Sequence, residues 1–376
     1  MPGGFTTWPD LFTMQQRLNA KAMKIEKAAR AARQDNPVGI VAAPENRALR
    51  VYWHGAVPTS MRRHLSRHAG EAPVKVLPTR YSASALRTAV RKLTASGTTS
   101  MAVPQPDGSG IAVRWAPGTQ RHSRTVDGIP VTLARGASPH GSKDIPLAGR
   151  CADGASYCRE DDTTPYYAGA RLSNCTVGWP LRLTNDAPAL LTAGHCGASG
   201  SSAYDGGGDL MGVYGNPSVG ADHTTIGATG GGRMWDGNWQ NSTFTKPIDS
   251  WTSTFVGNHI CTSGSRSGAL CGFAVSHVSP SDPGGGPGAF AYAAQSDAQY
   301  GPGQGDSGGP VFSLTGDYAR VIAQGTVTSG ASDARVPCRG ENWEGRLCSW
   351  FFRFDRVDYA LNSIFSPTFG ARMVTG

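Results

Sequence analysis

Cysteine is absent from the first 150 residues of this 376-residue chain, and acidic residues are scarce there. That stretch holds 8 Asp and Glu against 22 Lys and Arg, a net of +14; the remainder holds 19 against 13, a net of −6. No apolar run approaches membrane-spanning length, so no transmembrane helix and no membrane partner is expected. Met1 to Asp35 lacks the apolar core that a secretory signal needs. Export, if it occurs, is expected to use a start further upstream or another route. No paired C-x-x-C spacing occurs, which argues against a zinc site. The basic half has no recognised nucleic-acid-binding motif and no aromatic-rich basic strand, so no nucleic-acid partner is expected. Its charge is expected to attract the acidic half instead.

The length allows two domains. Leu11 to Gln34 reads as a basic, alanine-rich helix stopped by Pro37, and residues 1–36 are expected to form a solvated arm. Residues 37–134 read as a small α/β domain. Val38–Val41 and Leu49–Trp53 alternate as strands do, and Val74–Leu77 is a third. Helices are expected over Ser60–His68 and Ser82–Ala95, with Ser60 and Ser82 as caps. Met101–Val103 and Ile111–Trp115 form a hairpin around Asp107-Gly108-Ser109-Gly110. His64 and His68 are four apart, but the surrounding arginines make a solvated basic face the better reading. Residues 135–164 are a polar linker with a short Cys loop. From 165 to 376, short apolar runs between Gly, Thr and Ser predict an all-β domain. Asp205 and Asp209 flank Gly206-Gly207-Gly208 without a complete ligand set. This is read as a plain loop, and no metal and no cofactor is expected.

The chemistry gathers at Gln304-Gly305-Asp306-Ser307-Gly308-Gly309-Pro310. Glycines on either side of Ser307 permit a tight turn and close approach of a substrate carbonyl. The N–H groups of Gly305 and Ser307 can then point at one spot, as an oxyanion hole requires. A serine needs a base, and Ala189-Leu190-Leu191-Thr192-Ala193-Gly194-His195-Cys196 offers His195. Asp222, in Gly220-Ala221-Asp222-His223-Thr224-Thr225-Ile226, is the candidate to orient the imidazole. Asp205, Asp209 and Asp236 lie in the same interval, but a strand-like segment follows Asp222. The chain order is His, Asp, Ser. His223, His259 and His277 are read as ordinary surface or partly buried residues.

These motifs resemble bacterial chymotrypsin-like serine proteases of the streptogrisin and α-lytic protease kind. Cys175-Thr176-Val177-Gly178-Trp179, the loop between Cys261 and Cys271, and Gln324-Gly325-Thr326-Val327-Thr328-Ser329-Gly330 extend the match. The resemblance implies two six-stranded antiparallel β-barrels preceded by a small α/β propeptide-like domain. It implies an extracellular monomeric endopeptidase made as a proenzyme, acting on proteins or peptides. The alternative is a non-catalytic binding protein on the same fold. The cysteines, all in the second half and even in number, suit disulfides in an oxidising compartment. The resemblance pairs Cys175 with Cys196 and Cys261 with Cys271. Proximity pairs Cys151 with Cys158 and Cys338 with Cys348. Gly303 stands where the relatives carry a cysteine. The relatives pair the aspartate before the serine with a cation; for Asp306, Arg266 is a guess. By the same resemblance Gly301 is the base of the specificity pocket, and Ser329, Gly330 and Ala331 line the substrate strand. No buried acid is evident, so uncharged, apolar substrate side chains are expected.

Overall fold

In the first helix, Leu11, Leu18, Ala22, Ile25 and Ala29 recur at steps of three, four and seven, which places them on one face. Trp8–Ala31 is helical, with Thr7 Oγ1 accepting from Asp10 N at 3.3 Å as its N-cap, and that face is buried. Burying Leu11, Leu18 and Ile25 favours docking by about 1.5–3 kcal/mol each. The helix is therefore a packed element and not a solvated arm; its lysines and arginines ride on the flanks. Residues 1–66, 71–95, 99–115, 124–133, 158–183, 185–218, 220–240, 242–279, 288–364 and 371–376 are described by the structure, a computed structural model.

The helix covers a three-stranded sheet of Gly39–Val41, Leu49–Trp53 and Val74–Pro78. A second sheet holds Thr99–Pro104, Ile111–Trp115, Ile129–Leu133 and Thr125–Val126, packed under the Ala83–Ala95 helix. Ser82 Oγ accepts from Ala85 N at 3.2 Å, as a cap does. Ser60 instead lies inside the Thr59–Leu65 helix, whose N-cap is Pro58.

The later region is nearly all β. Six antiparallel strands close on themselves: Pro310–Leu314, His259–Gly264, Gly268–Val278, Phe290–Gln295, Phe351–Arg356 and Val321–Gly330, which pairs back to the first. Closure leaves no edge within this ring, and Phe273, Phe352 and Phe354 fill it. The second lobe is built of shorter pieces. Thr224–Ile226, Pro188–Thr192, Pro180–Arg182 and Arg372–Met373 form one sheet, and Ser202–Tyr204 with Leu210–Val213 form a hairpin. These share a core with Tyr166, Trp235 and Val177. Thr245–Trp251, Gly230–Trp235 and Tyr166–Ala168 extend the closed barrel's sheet into this lobe. The fold class is the one the resemblance implies, with one barrel closed by hydrogen bonds and its neighbour assembled around a shared core.

The α/β region docks on the barrels. Gln15 exchanges two hydrogen bonds with the His259 backbone, at 3.0 and 2.6 Å, and the Asn19 and Asn258 amides pair. Met101, Val103 and Ala112 pack with Ala331, Ala334 and Phe351. Among the described residues two ion pairs cross this seam: Arg114 to Asp333 at 3.0 Å, and His259 to Glu45. The net charges thus meet at few points, and apolar packing with neutral hydrogen bonds makes most of the contact. His259 is buried in this seam and His223 is fully buried, both deeper than the surface or partly buried positions expected of them.

Candidate active site

Strand register brings the first two candidates together. Thr192 pairs with Thr224, and continuing that register beyond both strand ends sets Asp222 opposite Gly194. His195 sits in the 3-10 turn Gly194–Cys196 that follows the strand. Its Nδ1 lies 2.7 Å from Asp222 Oδ2, and its backbone N–H donates to Asp222 Oδ1 at 2.9 Å. A Cβ at Gly194 would stand 3.0 Å from Asp222 Oδ1, so glycine makes room for the carboxylate. Burial pushes the Asp222 carboxyl up, but the His195 hydrogen bond and charge outweigh it and hold it below the ordinary range.

The serine turn is pressed against the same region. Gly308 has φ +83°, and a Cβ there would lie 2.1 Å from Thr192 Oγ1 and 2.9 Å from Ala193 N. Only glycine fits both the left-handed backbone and that approach. Ser307 O accepts from Thr176 N at 2.8 Å. The Cys175–Cys196 bridge joins the strand entry to the histidine turn. Being oxidised, those two sulfurs are not thiolate ligands for a metal beside His195. Among the described residues, the N–H groups of Gly305 and Ser307 have no acceptor. Two unpaired donors on one turn suit an anion-stabilising site. Ser307 Oγ reaches Thr328 O at 3.5 Å, and no hydrogen bond joins it to His195. Such bonds are commonly long before substrate binds.

A third ring of residues holds these in place and was not found in the sequence. Asp355, fully buried, accepts from Asp222 N, from Thr328 Oγ1 at 3.2 Å and from Arg353 Nε at 2.9 Å. His223 Nε2 meets Thr326 Oγ1 at 3.1 Å, and burial lowers its pKa, which keeps it neutral.

Asp306 receives N–H bonds from Gly303 at 2.8 Å and from Arg266 and Ser267 at 3.0 Å. Its cation is Arg346, at 3.2 Å, with both side chains fully buried. The Arg266 guanidinium turns away to Glu341 at 2.6 Å and Ser173 O at 2.9 Å, so the guessed partner supplies only its backbone.

A cleft of about 30 Å³ runs beside Ser307, lined by Ser329, Gly330, Ala331 and Arg335 among others. Gly301 is not in this lining; a Cβ there would fall 1.8 Å from the carbonyl of Ser349, which is part of it. Arg335 was missed. It is exposed, with no acidic partner among the described residues. Cys338 and Cys348 are bridged, as are Cys261 and Cys271. A Cβ at Gly303 would lie 2.2 Å from Cys348 Sγ, so that sulfur fills the space of the missing side chain. Cys158 is disulfide-bonded; Cys151, its expected partner, lies outside the described residues, as do His68 and residues 134–157, which include most of the expected linker 135–164.

No protein-family model matches the chain, and no curated protein matches it. Solved structures of bacterial chymotrypsin-like serine proteases do. A Nocardiopsis protease is 22% identical with a TM-score of 0.39. A Cellulomonas bogoriensis chymotrypsin is 23% identical at 0.37, and Thermobifida fusca protease A 18% identical at 0.38. Each match covers 56% of this chain and 98% of the other. At these identities and scores the likeness says nothing about catalysis; the residues of this chain carry the reading that follows.

Proposed function

We propose that the chain is a serine endopeptidase that works through an acyl-enzyme, made as a proenzyme for an oxidising, extracellular setting. The observation that carries this reading is the packing of the His195–Asp222 turn against the Ser307 turn, which has two N–H groups without an acceptor among the described residues and a cleft beside its serine. Ser307 Oγ attacks the scissile carbonyl. His195 Nε2 takes the hydroxyl proton and later gives it to the leaving amine. Asp222 fixes the proton on Nδ1 and stabilises the imidazolium. The N–H groups of Gly305 and Ser307 receive the oxyanion. Ser329, Gly330 and Ala331 pair with the substrate backbone.

Arg335 alters the expected specificity. An unpaired guanidinium on the cleft favours a substrate carboxylate, so Glu or Asp is preferred before the scissile bond over apolar residues. The docked α/β region fits a propeptide: Met101 and Val103 pack against Ala331 at the end of the substrate strand. The test is labelling with a serine-directed phosphonylating reagent together with hydrolysis of a peptide library. Wild type should label and cleave; Ser307→Ala should fold, fail to label and lose several orders of magnitude in rate. Binding of peptides without labelling or cleavage in wild type would instead identify a non-catalytic binding protein.

A further inference from the structure

The loop between the strands Ser202–Tyr204 and Leu210–Val213 carries chemistry that proteolysis does not use. Asp205 and Asp209 lie at its ends, and a third carboxylate, Asp161, arrives from the segment that leads into the barrels. One carboxylate oxygen from each of the three lies within 4.8 Å of the others. The glycines between the two aspartates allow this. A Cβ at Gly207 would stand 2.3 Å from Asp161 Oδ1, one at Gly206 would stand 2.2 Å from Glu160 O, and Gly208 has φ +94°. The loop is thus closed around Asp161, and side chains at Gly206 or Gly207 would keep it out.

Asp205 supplies a second, separate observation. It is fully buried, and its Oδ1 accepts from Asp209 N at 2.7 Å, while its Oδ2 has no hydrogen-bond partner. Neither Asp205 nor Asp209 forms an ion pair with Lys, Arg or His among the described residues. A buried carboxylate oxygen without a donor is costly, and two further carboxylates beside it add repulsion. A cation between them removes both penalties at once.

We propose that Asp161, Asp205 and Asp209 bind a divalent cation, and that the cation is calcium. The donors are all hard oxygens, which disfavours the transition metals that seek imidazole or thiolate. Calcium accepts six to eight oxygens in flexible geometry, so three carboxylates and water suffice. Magnesium demands a near-ideal octahedron, which a loop closed by glycines does not impose. The bound ion ties the entry segment of the barrel region to the second lobe's hairpin. Its function is therefore to hold residues around Asp161 in place beside the Cys158 disulfide, independently of catalysis.

The test uses the full chain, stripped with chelator and melted across a calcium chloride titration, with Asp205→Asn and Asp209→Asn beside it. Wild type should show a saturable rise of several degrees in midpoint, reversed by chelator. Asp209→Asn is the safeguard if Asp205→Asn fails to fold, because Asp209 is exposed and bonds through its backbone. It should need at least tenfold more calcium for the same rise. No calcium-dependent rise in wild type, or an identical titration in Asp209→Asn, overturns the site. An equal response to magnesium overturns the assignment to calcium.

Discussion

Replacing Arg346 with Met tests how the serine turn is held. The side chain is buried and spends every donor: Nη2 on Asp306 Oδ2 at 3.2 Å and Ser267 Oγ at 2.9 Å, Nη1 on the carbonyls of Arg339 and Glu341, and Nε on Gln304 O at 3.1 Å. Methionine fills much of the volume and leaves the Asp306 carboxylate without a counter-charge. Breaking one partner out of a buried pair costs about 3–5 kcal/mol. Asp306 keeps its donors from Gly303, Arg266 and Ser267, which places the loss toward the lower end. At about 2–4 °C per kcal/mol for a domain this large, a loss of about 3 kcal/mol should lower the midpoint by about 6–12 °C. The turn that relaxes also carries the Gly305 and Ser307 N–H groups, so kcat/KM should drop by about the 10²–10³ typical of a lost oxyanion donor. Thermal melts and peptide hydrolysis read the two effects. A cycle with Asp306→Asn assigns them: coupling should be large for Arg346 and small for Arg266, whose guanidinium goes to Glu341 and Ser173. An Arg346→Met enzyme with wild-type midpoint and rate would refute the proposed support.

Arg335→Ala should lower kcat/KM about tenfold for substrates with Glu or Asp before the scissile bond, the scale of one charged hydrogen bond, and leave Phe and Leu substrates nearly unchanged; a wild-type preference for Phe or Leu would restore the apolar pocket. Burial pushes the Glu26 carboxyl up to about 7; Arg356 and Arg30 pull against this and Asp358 adds to it. A raised acid pKa favours the docked state below the unfolded value near 4.5 and loses that contribution as pH rises through about 7. The melting midpoint should therefore slope downward over that window, and Glu26→Gln should flatten the slope; an unchanged slope in the variant counts against Glu26. If residues 1–150 assist folding of residues 151–376 when added in trans, high salt should change the yield of activity less than twofold, because among the described residues two ion pairs, Arg114–Asp333 and His259–Glu45, cross the seam, and salt screens partly buried pairs little. A collapse of the yield in salt would return the docking to long-range charge.

What is legible in the sequence depends on how far apart the cooperating residues lie. Ser307 reads at once because its requirements are met by its own neighbours: Gly305 and Gly308 take φ +92° and +83°, and no other residue type suits those angles beside a packed strand. Asp222 reads because the strand that follows it is short and pairs directly with the strand before His195. Asp355 does not read, since it acquires meaning only when the barrel closes and Thr326 comes opposite it. A one-residue slip in that register would turn it to the other face. Arg346, Arg335 and Asp161 follow the same logic, each delivered by a loop or, for Arg335, a two-residue strand, whose path is set by a disulfide or by a glycine's close approach rather than by any local pattern. The N-terminal helix fails for a different reason. Its apolar stripe is local and visible, but its many lysines and arginines point the other way, to a solvated arm. Burial decides that contest, because charged stems can lie along the flanks of a buried face with their heads in water. Charge counted over a whole region therefore says little about which surface of it makes contact, whereas spacing along a single helix says a good deal.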